Sequence, residues 1–147
     1  MSLEFSVNFY DTRHLNWRNC LIGFFSCTNI THVGLQVDLG TQSIEYTCID
    51  KNRGLSVVNP KVYSKLYCKP VDSIKLGIVD KPLPEIPDNF SLTGRGLLFY
   101  HLIGRFIGSD MPDGCCVFVS QVLVDLGIIK RKIFYPEQLY KELNKCR

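Results

Sequence analysis

The feature that most constrains the fold of this 147-residue chain is a β-hairpin signal in its first third. Residues 31–37 (Thr-His-Val-Gly-Leu-Gln-Val) and residues 43–49 (Ser-Ile-Glu-Tyr-Thr-Cys-Ile) are rich in β-branched and aromatic side chains, which favour strands. A short turn, Asp38-Leu39-Gly40-Thr41, separates them. Strands joined by so short a turn pair antiparallel. The sequence therefore predicts an antiparallel hairpin.

The hairpin brings one histidine and one carboxylate to the same face of a sheet. If Leu39 and Gly40 form a two-residue turn, Glu45 lies opposite Gly34 and is a diagonal neighbour of His32. Diagonal neighbours are about 7–8 Å apart, which a glutamate and an imidazole can span. A register slip of two residues keeps both side chains on one face, whereas a slip of one residue does not.

A cysteine begins the clearest helix signal in the chain. Apolar side chains recur at 115, 118, 119, 122, 123 and 126, after Asp113-Gly114, and Gly127 ends the pattern. A thiol reacts as the thiolate, which a helix N-terminus and a nearby imidazole both stabilise. Cys115 is therefore a candidate nucleophile and His32 a candidate base. The alternatives are that Cys115 is a small buried hydrophobe, that Cys116 reacts instead, and that Glu45 only faces water.

The remaining patterns complete one domain, residues 1–147. Further strands are predicted at residues 3–10, 55–58 and 73–79, further helices at 15–26, 91–107 and 135–143, and an extended, proline-rich connection at 80–88. Asn59-Pro60 is interpreted as the end of the strand at 55–58.

These segments resemble a known family of hydrolases. The Thr31–Val37 strand, its turn and Ile44-Glu45-Tyr46 resemble the His-Val-Gly hairpin of NlpC-type papain-like enzymes, and Gly114–Leu123 resembles their cysteine helix. In that helix the nucleophile precedes a large apolar residue by three positions and a valine by four, which selects Cys115 over Cys116. Because the histidine comes first here, the resemblance is to the circularly permuted branch, which includes YiiX-like, poxviral and lecithin:retinol acyltransferase-like proteins. Pro136-Glu137-Gln138-Leu139-Tyr140 is similar to the terminal helix of bacterial and phage members.

The resemblance implies an α+β fold of the papain-like, permuted NlpC type, with the cysteine helix packed against a small antiparallel sheet. It implies a Cys115–His32–Glu45 constellation that cleaves an amide bond, of the peptide or cell-wall type, through an acyl-enzyme. The alternatives are thioester or lipid acyl chemistry, and an idle binding module on the same fold. Tyr10 is a further candidate for an oxyanion donor, or else a tyrosine at the edge of the core. A phage or viral origin fits the same resemblance.

Composition and the other motifs exclude several classes. A net charge of +3 is too small to indicate nucleic-acid binding. No apolar run reaches the ~18 residues of a membrane span. Neither the seven cysteines nor the three histidines show metal spacing, and no cofactor motif is present. The first residues lack a signal-peptide pattern, so we expect reduced thiols and a cytoplasmic location, in the host if the protein is viral. The expected partner is a peptide, peptidoglycan-like or acyl-lipid substrate; the sequence leaves the oligomeric state open.

Overall fold

The computed structural model describes residues 2–15, 17, 20, 21, 24, 29–48, 55–87 and 115–145. The predicted helix at 91–107 lies outside these residues. Of the predicted helix at 15–26, the structure describes five positions, and four of them (17, 20, 21 and 24) are helical.

Five antiparallel strands form one sheet in the order β4-β3-β2-β1-β5. The strands are β1 (Leu3–Tyr10), β2 (His32–Asp38), β3 (Ser43–Cys48), β4 (Leu55–Val58) and β5 (Asp72–Val79). All five strands predicted from the sequence are confirmed, to within one residue at each bound. Residues 80–87 are in neither helix nor strand, as the prolines there predicted.

Three helices have defined bounds in the described part of the chain: α1 (Pro60–Leu66), α2 (Cys115–Asp125) and α3 (Pro136–Asn144). The helices α2 and α3 were predicted, and Gly127 follows α2 with a φ of 74°, the left-handed conformation expected after a helix. Helix α1 was not predicted. Asn59 caps it by accepting hydrogen bonds from the backbone N–H groups of Lys61 and Val62, and Pro60 occupies its first turn.

One face of the sheet carries the hydrophobic core. Alternate residues of β1 and β2 point to this face, and α2 and α3 cover it. Tyr46 of β3 packs against Phe118 of α2 with ring centroids 5.7 Å apart. The fully buried strand residues of this apolar face are Leu3, Phe5, Val7, Phe9, Val33, Leu35, Val37 and Ile74. An α+β fold with the cysteine helix packed against an antiparallel sheet is therefore confirmed at this level of detail.

The opposite face of the sheet is polar. It carries the side chains of Asn8, Tyr10, His32, Glu45 and Thr47, and we call it the polar face. Helix α1 covers part of it through the buried ring of Tyr63, which meets the ring of Tyr10 edge-on at 5.4 Å. In the described part of the chain, α2 and α3 thus cover the apolar face of the sheet and α1 covers part of its polar face.

Candidate active site

The hairpin register differs from the predicted register by two residues. Glu45 pairs with Gln36 and not with Gly34, because the backbone N–H of Leu39 donates to the carbonyl of Gln42 at 2.9 Å and the turn is formed by Gly40 and Thr41. Gly40 has a φ of 85°. The predicted turn would have put Leu39 at the position that needs positive φ, where a side chain is strained. The predicted opposition of Glu45 and Gly34 is therefore wrong, but Glu45 and His32 do share a face.

The shift places Thr47 beside the imidazole. The Nε2 atom of His32 lies 2.6 Å from the hydroxyl oxygen of Thr47, and the ring packs at 5.7 Å from the ring of Tyr10. His32 is half-buried, and the loss of solvent around its ring lowers its pKa to about 4. The ring is therefore neutral at pH 7, as a general base must be, and its orienting partner is Thr47.

Glu45 is fully buried on the polar face. One carboxylate oxygen, Oε1, accepts a hydrogen bond from the hydroxyl of Tyr10 at 2.5 Å, and Oε2 accepts one from the amide nitrogen of Asn8 at 3.2 Å. Burial raises the pKa of Glu45, although these two hydrogen bonds act in the opposite direction. The carboxylate reaches these partners on β1 by passing over Gly34 of β2, where a Cβ atom would overlap it.

A hydrogen-bonded network fixes the floor of the polar face. The amide group of Asn8 also donates to the side-chain oxygen of Gln36 at 2.9 Å, and its oxygen accepts from the hydroxyl of Ser73 at 2.7 Å. Burial and the Glu45 charge raise the pKa of Tyr10 well above its usual range, so its hydroxyl stays protonated and committed to Glu45. Tyr10 was a candidate oxyanion donor on sequence grounds, but here its proton is already used within the network.

Three members of this cluster, Asn8, Thr47 and Tyr63, were not predicted from the sequence. A signal for Asn8 was present, because asparagine is unfavourable inside a strand and is retained there when its amide is hydrogen-bonded. Thr47 follows Glu45 by two residues and so shares its face, but only the correct register shows that it meets His32. Tyr63 carried no signal, because the helix that presents it was not predicted.

Cys115 is the first residue of α2 and is 7% exposed within the apolar core. It is disulfide-bonded, whereas Cys20, Cys68 and Cys116 are free. The expectation of reduced thiols is therefore wrong for Cys115. Cys116 is buried, and the absence of solvent raises the pKa of its thiol far above the usual range, so it is protonated at neutral pH.

The structure unites two of the three predicted residues on one face and places the third on the other. His32 and Glu45 both lie on the polar face, whereas α2, which begins at Cys115, packs against β2 from the apolar face. Among the described contacts of His32, no hydrogen bond reaches Cys115. In the disulfide-bonded form, Cys115 and His32 are thus not hydrogen-bonded to each other.

Comparison with models of known protein families, with curated proteins and with solved structures finds no match. Within the described residues, no group of three or more histidine, cysteine, aspartate or glutamate side chains has a geometry suited to a metal ion. None of the helices in that part of the chain is long and apolar enough to span a membrane.

Proposed function

We propose that the reduced chain is a cysteine hydrolase of the permuted papain-like type, with Cys115 as nucleophile and His32 as base. One observation carries the proposal: Cys115 begins the helix that packs against β2, and His32 begins that strand. A helix N-terminus stabilises a thiolate, and a neutral imidazole can accept its proton. Glu45 contributes by holding Tyr10, whose ring packs beside His32.

The reaction requires two changes from the disulfide-bonded form. An external dithiol must first reduce the disulfide, which leaves Cys115 as a free thiol and oxidises the dithiol. The His32 ring must then turn from Thr47 towards Cys115, since its Nε2 atom is otherwise engaged. The second change is more than a turn of the ring: because His32 points to the polar face and α2 packs on the apolar face, the imidazole must come round the end of β2, where His32 lies.

The chemistry after those changes is set by the residue types. His32 takes the thiol proton, and the thiolate attacks the substrate carbonyl to give a tetrahedral oxyanion. In this proposal the backbone N–H of Cys115, at the N-terminus of α2, donates a hydrogen bond to that oxyanion. His32 then protonates the leaving amine, and water attacks the acyl-enzyme to release the acid and the thiol. A thioester or lipid ester would undergo the same steps with a different leaving group.

A binding module on the same fold is the second candidate, and the disulfide favours it. A sulfur atom held in a disulfide is not a nucleophile, and the Nε2 atom of His32 is engaged by Thr47 while its ring packs against Tyr10. In this case the protein would act through its surface, and the disulfide would stabilise the attachment of α2.

Labelling with a thiol-directed acylating probe distinguishes the two candidates. The reduced chain is incubated with the probe beside the variants Cys115→Ala, Cys116→Ala and His32→Asn, and the labelled residue is mapped by mass spectrometry. The hydrolase requires rapid labelling at position 115 that is lost in Cys115→Ala, slowed in His32→Asn and retained in Cys116→Ala. The same proteins are assayed with peptide anilides and acyl thioesters. Equal labelling of the reduced chain and His32→Asn, without turnover, would support the binding module.

A further inference from the structure

A second candidate site lies beside the predicted catalytic residues, over the polar face. A cavity of about 780 Å³ opens between the β2–β3 turn, helix α1 and the strands β1 and β5. Cavities that hold small molecules are usually about 300–1,000 Å³ in volume, so this one has the size of a small-ligand site. A docked macromolecule would need a far larger surface.

One wall of the cavity is strongly cationic. Lys61 and Lys65 come from successive turns of α1, and Lys69 lies just after the helix. None of these three lysines is in an ion pair within the described part of the chain, and like charges four residues apart on a helix repel each other. Among the described lining residues the carboxylates are Asp38, on the opposite wall, and the buried Glu45 below the floor; Oδ1 of Asp38 accepts from the backbone N–H of Gly40. The wall therefore has an excess of positive charge without a partner among the described residues.

The floor of the cavity is polar and rigid. Asn8, Gln36 and Ser73 are joined by side-chain hydrogen bonds, and Glu45 lies beneath them with no exposed surface. The amide oxygen of Gln36 is used by Asn8, whereas its amide nitrogen has no hydrogen-bond partner among the described residues. Because that nitrogen is on a lining residue, it can donate to a polar group in the cavity.

We infer that this cavity binds a small polar molecule carrying an oxyanion, either a phosphate or a carboxylate. The anionic group lies against Lys61, Lys65 and Lys69, and its hydroxyl or amide groups contact Gln36 and the hydroxyl side chains of the rim, Thr41, Ser43 and Ser64. The inference does not depend on a reactive Cys115, because none of the residues that carry it belongs to the cysteine helix. It can therefore fail while the proposed hydrolase stands, and the reverse also holds.

Titration of the isotope-labelled full chain, monitored by NMR in phosphate-free buffer, tests this inference. The probes are ribose 5-phosphate, unphosphorylated ribose and propane-1,2,3-tricarboxylate. We expect saturable shifts of the backbone amides of residues 40–43 and 59–65 with a charged probe, and none with ribose at the same concentration. The two charged probes decide between a phosphate and a carboxylate as the preferred anion.

Lysine variants supply the matched comparison. Lys61→Gln and Lys65→Gln should each weaken binding about three- to fivefold, as expected for loss of one exposed charge that faces the anion. Lys132→Gln, at an exposed position outside the cavity, should leave the affinity unchanged. The inference is overturned if neither charged probe binds saturably, if ribose binds equally well, or if Lys132→Gln weakens binding as much as Lys65→Gln does.

Discussion

The carboxylate of Glu45 occupies the space that a side chain at Gly34 would fill. A Cβ atom at Gly34 would overlap Oε1 of Glu45, the atom that accepts the hydrogen bond from Tyr10. Glu45 is on β3 and Tyr10 is on β1, so the carboxylate must cross β2, which lies between them in the sheet. Because Gly34 has no side chain, the carboxylate of Glu45 on β3 can pass over β2 and accept the hydrogen bond from Tyr10 on β1.

The first prediction concerns that gap. Gly34→Ala should lower the free energy of unfolding by about 1–3 kcal/mol, because the added methyl group displaces a buried, hydrogen-bonded carboxylate. In a Glu45→Ala background the overlap is gone, and the same substitution should be neutral or slightly stabilising, since alanine restricts the unfolded chain. Urea unfolding of the four proteins measures the coupling. If Gly34→Ala lowered the free energy of unfolding equally in both backgrounds, the carboxylate of Glu45 would not be what excludes a side chain at position 34.

The second prediction rests on the lowered pKa of His32, about 4 in the folded chain. The unfolded histidine, with its ordinary pKa of about 6.5, binds a proton over a range in which the folded one does not. The contribution of His32 to the free energy of unfolding should therefore fall as the pH drops from about 6.5 to 4, by up to about 3 kcal/mol. Urea unfolding at successive pH values checks this.

His32→Asn removes the titrating ring and should flatten that part of the stability profile. His14→Asn is the matched control, because His14 is exposed and its replacement should leave the profile parallel to that of the wild type. If the His14 variant flattened the profile instead, the burial of His32 would not be its cause.

The third prediction has the opposite sign and concerns Glu45. Burial raises its pKa, so the folded chain keeps a proton at pH values at which the unfolded chain has lost it. Glu45 therefore opposes folding increasingly as the pH rises above its unfolded pKa of about 4.3. The stability of the wild type minus that of Glu45→Gln should decrease as the pH rises from about 4 towards neutral.

Glu85→Gln controls for the same chemical change at an exposed position. The stability difference between the wild type and Glu85→Gln should not show the pH dependence found for Glu45→Gln. A flat difference for Glu45→Gln across the whole range would show that its carboxylate is as well solvated in the folded chain as in the unfolded one.

The fourth prediction concerns the attachment of α2 to the segment that leads into α3. The hydroxyl of Ser120 is fully buried; it accepts from the backbone N–H of Ile133 at 2.9 Å and is within 3.2 Å of the carbonyl oxygen of the same residue. Ser120→Ala leaves both backbone groups without this partner and should cost about 1–3 kcal/mol. Gln121→Ala loses an exposed hydrogen bond to Asp125 on the same helix and should cost less than about 0.5 kcal/mol. Comparable losses for the two variants in thermal unfolding would refute a special role for the buried hydroxyl.

Local signals in the sequence were sufficient to predict the strands and most of the described helices. Alternation identified β1, β-branched side chains identified β2, and the apolar spacing after Cys115, closed by Gly127, identified α2. Helix α1 was missed because Asn-Pro both ends a strand and starts a helix, and only the residues after the proline distinguish the two meanings. The observed turn begins one residue later than predicted because its first central residue needs positive φ, which Gly40 adopts and which would strain Leu39.

The relation between His32 and α2 could have been inferred, but the state of Cys115 could not. Val33, Leu35 and Val37 form the apolar side of β2, so an amphipathic helix packs there and His32, by alternation, points to the other side. A disulfide, in contrast, depends on which two sulfur atoms the complete fold brings together, and sequence spacing does not contain that information. The functional question therefore depends on the chemistry of one sulfur atom.

The last prediction addresses that sulfur atom directly. In the native chain without reductant, iodoacetamide should modify Cys20, which is exposed, and leave Cys115 and Cys116 intact. Unfolding in urea without reductant exposes both residues, but only Cys116 has a free thiol. Cys116 should then be modified, while Cys115 stays protected by its disulfide. Adding a phosphine reductant should make Cys115 reactive as well, and peptide mass mapping distinguishes all three states. Modification of Cys115 in the unreduced, unfolded chain would show that its protection comes from burial alone; the thiol would then be free to act as a nucleophile without prior reduction.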